Sequence, residues 1–491
     1  MVGKKFLITT AIDYPSARFH LGHAYEKIAT DCIARWKRLN CFDVHFSTGT
    51  DCHGLKIQRA AEKENKTPLQ FVNEISDGFK ELCKVLNISY TDFIMTTENR
   101  HTLVAQTLVQ ELMDKGYVYK ADYEGPYCVD CETYYTEKDL TGGKCPFHKT
   151  KEIEYIKETS YFFKMSKFRE ILLQHINDHP EYIFPEPQRN QIIARLKGEL
   201  RDLSISRKQV SWGIPLPFDP KMTIFVWVEA LMNYLTTVDY PNKKYKEYWP
   251  AVHVIGRDIV WHHTVIWGAL LEALDIKLPQ VVVHGFITAA GEKMSKSMKG
   301  GADPIKLAET YGVDSLRYFL IREIPFGYDG DFSEGALRLR LNNELVNEYG
   351  NLVSRVLTLV EKKLNGTLKR TAIDAKLEKG IEIEYVKKLF DEYKLHDAVS
   401  EIFKLIKLGN IYVAEKAPWA EKDEVKINHI LYNLCEVLRI ISILLSPIMP
   451  ETSEKLCKQL GIKLGNINDC KFGLIKEYNV YKDEMLFKKI E

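Results

Sequence analysis

The chain has 491 residues, of which 45% are hydrophobic and 27% charged, and its formal net charge is +1. A chain of this length exceeds one hydrophobic core, so about two to four domains are expected, and the near-neutral charge does not indicate a strongly basic nucleic-acid-binding protein. No apolar run approaches the roughly 18 residues that span a membrane, and ten cysteines in 491 residues do not make a disulfide framework.

The N-terminus indicates where the protein works. Met-Val-Gly-Lys-Lys leads directly into a predicted strand, which leaves no room for a signal or transit peptide. We therefore expect a cytoplasmic protein with reduced cysteines and no membrane partner.

The first predicted strand and helix have two histidines at their junction. Phe6-Leu-Ile-Thr-Thr10 is typical of a buried strand, and apolar residues recur at helical spacing after His23. His20 and His23 lie between these elements and enclose Gly22, which lets a ligand approach the backbone. Because a helix N-terminus favours anions, the two imidazoles would form a phosphate site. Two ordinary loop histidines are the alternative.

Residues 1–115 alternate strand-like and helix-like segments, which predicts the first half of a Rossmann-like parallel-sheet domain of the α/β class. A second strand at 43–48 is followed by helices at 55–64, 69–85 and 100–116. Asp51 then falls at the carboxyl end of a parallel strand, where such sheets bind ligands. Capping of the next helix is the alternative role for this carboxylate.

From about residue 116 a tyrosine-rich stretch carries a cysteine–histidine cluster. Cys128, Cys131, Cys145 and His148 have the spacing C-x2-C followed by C-x2-H, which is typical of a structural zinc site. Four such ligands leave no position for a substrate, so we expect one structural Zn²⁺ that stabilises this unit. Four unrelated residues and a redox Cys-x-x-Cys are the alternatives. With extended segments and one helix at 167–178, the unit forms an insertion over residues 116–215.

The α/β pattern resumes after the insertion, so residues 216–335 are predicted to complete the parallel-sheet domain. Strands are predicted at 223–227, 251–255 and 281–285, with helices beginning at 228 and at 259. A glycine-flanked loop, Lys293-Met-Ser-Lys296-Ser, follows the last strand and carries two cations. A solvated surface loop is the alternative interpretation of this segment.

The remaining residues, 336–491, show helical periodicity instead of strands. Leu337, Leu341 and Leu345 begin a series at helical spacing, and further helical runs lie near 382–413 and 425–447. This region is predicted to be an all-α antiparallel helix bundle.

The two-histidine motif and the lysine loop are far more specific together than either is alone. The pair resembles the signature of class I aminoacyl-tRNA synthetases. The resemblance implies that an amino-acid carboxylate attacks the α-phosphate of ATP, that pyrophosphate leaves, and that the aminoacyl group moves to the 3′ end of tRNA. Charge grows on phosphate oxygens in that reaction, so His20, His23, Lys293 and Lys296 are the expected catalytic and ATP-binding side chains, with Mg²⁺ accompanying ATP.

Further segments resemble the methionyl-tRNA synthetase family over nearly the whole chain. They are Ala11-Ile-Asp-Tyr14, Thr48-Gly-Thr-Asp-Cys-His-Gly54, the cysteine–histidine knuckle, Asp202-Leu-Ser-Ile-Ser-Arg207, Val226-Trp-Val-Glu-Ala230, Ile255-Gly-Arg-Asp258 with His263, and Asn351-Leu-Val-Ser-Arg355. The resemblance implies that Gly256 and Asp258 contact the ATP ribose and that Asp51 holds the substrate ammonium. It also implies a methionine pocket that consists of Ile12, Tyr14, Trp227, Ala230, Leu231, Tyr234 and His263.

The chemistry of methionine agrees with such a pocket. A polarizable thioether suits an aromatic-lined site with one or two weak donors, and Tyr14 and His263 are expected to be the donors. Simple core packing of Trp227 and Tyr234 is the alternative. In the same family the helix bundle reads the CAU anticodon of tRNA(Met), and Asn351, Arg355 and Trp419 match those positions. Amide, guanidinium and indole groups can hydrogen-bond to or stack on unpaired bases.

The sequence also departs from the family pattern. Met298-Lys299-Gly300 follows the lysine loop, so a glycine is displaced and a cation added, and Asp13 lies where the family often has an apolar or aromatic residue. The appended C-terminal domain of some relatives is absent from this sequence, so we expect a monomer.

Three alternatives to a methionine enzyme remain open at this point. One is another class I synthetase, for leucine, isoleucine, valine or cysteine. A second is a small-molecule nucleotidylyltransferase, which would need neither the lysine loop nor the helix bundle. A third is a non-catalytic tRNA-binding or scaffold protein, against which the intact histidines and lysines argue.

Overall fold

The computed structural model of the chain describes residues 3–15, 18–128, 133–135, 137, 140–145, 153–208, 210–289, 292–293 and 303–490. The strands are β1 (Lys5–Thr10), β2 (Asp43–Thr50), β3 (Asp92–Met95), β4 (Val118–Cys128), β5 (Thr133–Tyr134), β6 (Glu154–Phe163), β7 (Ile183–Phe184), β8 (Leu203–Ser204), β9 (Ser206–Arg207), β10 (Pro215–Leu216), β11 (Asp219–Ile224), β12 (Ala251–Gly256), β13 (Gln280–His284), β14 (Ile287–Ala289), β15 (Glu292–Lys293), β16 (Gly330–Asp331), β17 (Thr367–Lys369) and β18 (Glu477–Asn479).

The helices are α1 (Leu21–Leu39), α2 (Leu55–Lys63), α3 (Pro68–Val85), α4 (Asn99–Asp114), α5 (Arg169–Asp178), α6 (Glu186–Leu196), α7 (Val226–Leu231), α8 (Asn233–Thr236), α9 (Lys243–Tyr248), α10 (Trp267–Ala273), α11 (Pro304–Tyr311), α12 (Val313–Glu323), α13 (Glu334–Arg340), α14 (Asn351–Leu364), α15 (Ala375–Glu378), α16 (Ile383–Asp391), α17 (Leu395–Lys416), α18 (Glu424–Leu445) and α19 (Pro450–Gln459). Two π-helical segments, His262–Ile266 and Leu341–Gly350, precede α10 and α14.

A parallel sheet organises the first part of the molecule, as the alternating pattern predicted. Its six strands have the order β3-β2-β1-β12-β13-β7, and every neighbouring pair is parallel. The order reverses at β1, which lies between β2 and β12. Ligands of such sheets bind in the crevice at the carboxyl ends of the strands beside this reversal. The Rossmann-like prediction is therefore confirmed, and the topology indicates where the site lies.

The predicted insertion is richer in structure than its sequence indicated. A long antiparallel pair, β4 and β6, forms a four-stranded sheet with β5 and β8. The expected helix is present as α5, but α6 and β7 were missed, and β7 joins the edge of the parallel sheet beside β13. A two-residue strand carries too little periodicity to be found from sequence. The boundaries at 115, 215 and 335 remain predictions.

The strand predicted at 223–227 is wrong in its bounds and in the sheet to which it belongs. β11 ends at Ile224 and pairs antiparallel with β9 and β10, whereas Trp227 lies on α7. The run Thr-Ile-Phe-Val-Trp has strand-forming residues. However, a helix buried on most of its sides, as α7 is, has no amphipathic pattern by which sequence could identify it.

The second part of the molecule is a helix bundle, as predicted, with α18 packed against α14, α17 and α19, although it is not all-α. The short pair β17–β18 was not predicted. By length and composition α18 could span a membrane, but 89% of its apolar 18-residue stretch is buried inside the protein. Its apolarity is therefore accounted for by its central place in the bundle.

Arg317 on α12 joins the two parts. Its side chain is fully buried, and it donates to Asp31 Oδ2 on α1 at 2.7 Å and to the carbonyl oxygens of Pro447 and Ile448, before α19, at 3.0 and 2.8 Å. One hydrophobic core also runs from β1 and α1 into the bundle. Helix α1 is thus held by contacts from both parts of the molecule.

Candidate active site

One cavity of about 340 Å³ lies at the carboxyl ends of the parallel strands. It is lined by all the residues that were predicted to bind methionine. It is also lined by the residues predicted to bind ATP, apart from the two lysines of the lysine loop. These residues are Ile12, Tyr14, His20, His23, Asp51, Trp227, Ala230, Leu231, Tyr234, Gly256, Asp258 and His263. They come from segments far apart in sequence, so their convergence was not imposed by any local motif.

The two histidines form the N-terminal cap of α1. The backbone N–H of Gly22 donates to His20 Nδ1 at 3.1 Å, and the backbone N–H of His20 donates to His23 Nδ1 at 3.0 Å. Each Nδ1 is an acceptor, so the proton of each neutral ring is on Nε2. A Cβ on Gly22 would lie 2.8 Å from the His20 ring, which explains the glycine. The cap therefore fixes both rings as donors through Nε2.

Tyr234 and His263 are paired deep in the cavity. His263 Nδ1 lies 3.0 Å from the carbonyl oxygen of Ile259, so Nδ1 carries the proton, and Nε2 lies 2.7 Å from the Tyr234 hydroxyl. Burial lowers the pKa of His263 to about 4, so the ring is neutral at pH 7. Tyr234 therefore donates to His263. The expected donor role of His263 is not available through Nε2 in this arrangement.

Trp227 and Asp51 form other parts of the cavity wall. Trp227 is half-buried, and its ring stacks on His262 at a centroid distance of 3.8 Å. Asp51 is 8% exposed and follows β2 directly, and its N–H donates to the carbonyl of Asp13 at 2.8 Å. A carboxylate thus lies at the end of the strand, as predicted, and aromatic rings line the same cavity.

Asp13, the unexpected carboxylate, is accounted for by a buried ion pair. Its Oδ2 lies 2.5 Å from Nζ of Lys27 on α1, and the side chains are 4% and 0% exposed. Its Oδ1 lies 3.9 Å from His23 Nε2. The carboxylate therefore ties the strand-end loop to α1 beside the histidine cap, so its departure from the family pattern is matched by a cation.

Sequence reasoning missed several residues of the wall. Glu26 Oε2 lies 3.1 Å from His284 Nε2, and both line the cavity together with Lys56 and Phe286. Burial lowers the pKa of His284, but the contact with Glu26 outweighs it and raises the pKa above its ordinary value. A signal was present in the sequence, because His284 lies near the carboxyl end of the strand predicted at 281–285 and Glu26 lies one turn after His23 on α1.

The lysine loop and the zinc knuckle are described in part. Lys293 lies in β15, which pairs with β14, whereas Lys296 lies outside the described residues. Cys128 and Cys145 are buried, but Cys131 and His148 fall outside the description. Within the described ranges, no group of three or more His, Cys, Asp or Glu side chains is placed to hold a metal ion. The zinc ligand set stays a prediction.

The bundle residues expected to read the anticodon lie together. Asn351 begins α14 and is exposed, and Arg355 follows one turn later. The Arg355 guanidinium lies 5.5 Å from the ring of Trp419, which is 48% exposed. This arrangement presents an amide, a guanidinium and an indole at one surface.

Comparison with known families identifies the class of protein. The model described as "tRNA synthetases class I (M)" matches residues 6–154 and 144–357, and "Anticodon-binding domain of tRNA ligase" matches residues 375–485. The first model covers more than half of the chain. The chain therefore belongs to the class I tRNA synthetases, as the paired histidine and lysine motifs predicted.

Individual relatives narrow the class. The methionine–tRNA ligases of Caldanaerobacter subterraneus subsp. tengcongensis and Clostridium acetobutylicum are 44% and 42% identical, each over 99% of this chain and over 79% and 78% of their own lengths. Mycobacterium tuberculosis methionyl-tRNA synthetase, solved in complex with methionyl-adenylate, is 37% identical with a TM-score of 0.94 over 99% of both chains. Within its class, the chain belongs to the methionine–tRNA ligase family.

Proposed function

We propose that the chain activates L-methionine with ATP to methionyl-adenylate and pyrophosphate, and then transfers methionine to the 3′ end of tRNA(Met). Family membership makes it an ATP-dependent aminoacyl-tRNA ligase. The observation that carries the assignment is the cavity at the reversal of strand order, which collects the histidine cap and the described methionine-pocket residues. The methionyl-adenylate bound to the M. tuberculosis relative supports the same chemistry.

The amino acid would occupy the aromatic end of the cavity. Asp51 would pair with the substrate ammonium, and Trp227 would contact the side chain with its ring, which suits a polarizable thioether. Tyr234 would offer its hydroxyl, oriented by its bond to His263 Nε2. Tyr14 and Ile12 would line the mouth, and Ala230 and Leu231 would close the apolar wall.

ATP would occupy the end of the cavity beside α1. His20 and His23 would donate through Nε2 to phosphate oxygens at the helix N-terminus, Gly256 and Asp258 would meet the ribose, and Lys293 and Lys296 would neutralise the leaving pyrophosphate. Positioning and charge stabilisation are sufficient for this transfer, so no covalent nucleophile is needed. Mg²⁺ would arrive with the triphosphate, as is usual for this hard cation.

A structural Zn²⁺ would be held by Cys128, Cys131, Cys145 and His148. The donor chemistry fits, because the two described thiols are buried, Cys128 at the end of β4 and Cys145 directly after the bridge between Thr141 and Lys144, and thiolates with an imidazole suit Zn²⁺. The metal would stabilise the insertion and take no part in the reaction.

The transfer RNA would reach both ends of the molecule. Its acceptor end would enter the cavity, and its CAU anticodon would meet Asn351, Arg355 and Trp419 on the bundle. We infer that the protein works in the cytoplasm as a monomer without a membrane partner. Gel filtration with light scattering tests the monomer, since a dimeric mass would contradict it.

The assignment is tested by ATP–pyrophosphate exchange with each of the twenty amino acids, without tRNA. Exchange with methionine alone is expected. Exchange with another amino acid would still indicate a class I synthetase but would contradict the assignment of the pocket to methionine. Absence of exchange with all of them, followed by tRNA binding without aminoacylation, would support the non-catalytic alternative and overturn the proposal.

A further inference from the structure

A buried carboxylate lies behind the amino-acid end of the cavity. Glu229 is on α7, and its side chain is 0% exposed. Its Oε1 lies 2.9 Å from His53 Nδ1, and its Oε2 lies 2.7 Å from His101 Nε2. Glu229 is not among the described residues that line the cavity, so the mechanism above leaves this buried anion without a role.

The network connects two segments that line the amino-acid site. Glu229 is two residues after Trp227 and directly before Ala230, both of which line the cavity. His53 is two residues after Asp51, in the loop that follows β2. Glu229 thus belongs to the segment that carries Trp227, and through His53 it contacts the segment that carries Asp51.

The loop between β2 and α2 is held on its other side as well. Trp212 Nε1 donates to the carbonyl oxygen of Cys52 at 2.6 Å, and the N–H of Gly54 donates to the carbonyl oxygen of Trp212 at 3.1 Å. The backbone N–H of Cys52 donates to the hydroxyl of Thr96 at 2.8 Å. The His53–Glu229 hydrogen bond joins this loop directly to α7.

The charge state of the network is consistent with a strong link. Burial by itself would raise the pKa of Glu229, but His53 and His101 outweigh it and hold the pKa below its ordinary value. The carboxylate is therefore ionised and accepts from both imidazoles, which fixes the proton on His53 Nδ1 and on His101 Nε2. Hydrogen bonds to an ionised group are stronger than those between neutral groups.

We propose that Glu229 is a positioning residue for methionine: through His53 it sets the separation between the wall that carries Trp227 and the loop that carries Asp51. His101, at the start of α4, binds Oε2 of Glu229 and so fixes the orientation in which Oε1 meets His53. Loosening this link would misplace the ammonium partner relative to the aromatic wall, while the histidine cap of α1 would stay in place. The inference rests on the proposed methionine activation.

Glu229→Gln is the first test, measured by methionine-dependent ATP–pyrophosphate exchange. The amide keeps the shape but removes the charge and turns an NH2 group toward one imidazole, which can accept from it only by moving its own proton to the other ring nitrogen, so the two charge-assisted bonds are weakened or lost. We expect the KM for methionine to rise by about 10-fold or more, the change that follows from losing one hydrogen bond to a charged group. The KM for ATP is expected to change by less than about threefold.

A rescue experiment separates the effect of the His53 hydrogen bond from the effect of the side chain's size. In His53→Asn the amide nitrogen replaces Nδ1 as the donor to Glu229, whereas His53→Ala removes the donor. We expect the asparagine variant to keep a methionine KM within about threefold of wild type and the alanine variant to match Glu229→Gln.

Glu436→Gln is the matched control, because Glu436 is also a fully buried glutamate, with Oε2 2.7 Å from Arg439 Nη2, but lies in the bundle. It is expected to lower thermal stability without raising the methionine KM. An unchanged methionine KM in Glu229→Gln, or equal rises for methionine and ATP, would overturn the inference. Failure of the wild type to exchange with methionine would instead overturn the proposed function.

Discussion

Lys27→Met removes the cation that accompanies the unexpected carboxylate of the active site. The Lys27 ammonium lies 2.5 Å from Asp13 Oδ2, and the side chains are 0% and 4% exposed. Methionine keeps the length of the side chain and its apolar stem but leaves the Asp13 carboxylate buried without its ammonium partner. The perturbation therefore isolates the charge from the packing.

The expected cost follows from burial. An exposed ion pair contributes about 0–1 kcal/mol, whereas removing one partner of a buried pair costs about 3–5 kcal/mol, because a buried charge is left uncompensated. Burial alone would lower the pKa of Lys27, but Asp13 and Glu26 outweigh it and hold the pKa above its ordinary value. Because the lysine pKa is higher in the folded than in the unfolded chain, its ion pair stabilises the fold fully at a pH below the pKa of the unfolded chain. This stability is lost as the pH rises through the pKa of the folded chain. The pair is therefore intact at neutral pH.

The assay is a double-mutant cycle of wild type, Asp13→Asn, Lys27→Met and the double variant, each unfolded in urea at pH 7. Lys27→Met is expected to lose about 3–5 kcal/mol of unfolding free energy. The double variant is expected to recover part of that loss, because the uncompensated charge is gone. A loss below about 1 kcal/mol would match an exposed ion pair, and no recovery in the double variant would show that the loss does not come from the buried charge of Asp13; either result would refute the reasoning.

Other substitutions test separate parts of the site. Tyr234→Phe deletes the hydroxyl that donates to His263, and we expect the methionine KM in pyrophosphate exchange to rise about 10-fold; an unchanged KM would remove the hydroxyl from the pocket. Lys296→Ala should lower the kcat of activation by on the order of 10²–10³-fold in the same assay, and a near-normal rate would contradict its assignment. Cys128→Ser should release zinc and lower the melting temperature of the insertion; unchanged zinc content by elemental analysis would disprove the ligand set. Trp419→Ala should raise the KM for tRNA in aminoacylation without affecting exchange, whereas an unchanged KM would separate the indole from the anticodon.

Much of the fold and of the candidate site could be predicted from sequence because the signals are local. The apolar run of β1 predicted a buried strand, and the two-histidine motif predicted the helix start, where the rings do form the cap. Asp51 was placed at a strand end by the alternation of strands and helices alone. The resemblance to a family then supplied the pocket residues, which periodicity could not distinguish from core.

The tertiary structure decided what depends on residues far apart in the chain. Trp227 lies on α7, which is buried on most sides, so tertiary packing overrode the strand propensity of its run and left no amphipathic pattern to reveal the helix. Asp13 is tolerated beside the histidine cap because folding brings Lys27 to it. Glu229 meets His53 across 176 residues, and no sequence period encodes such a contact. Local propensity and spacing thus fixed which elements form, whereas the protonation, pairing and position of the side chains in the cavity were set by burial and by partners that meet only in the folded chain.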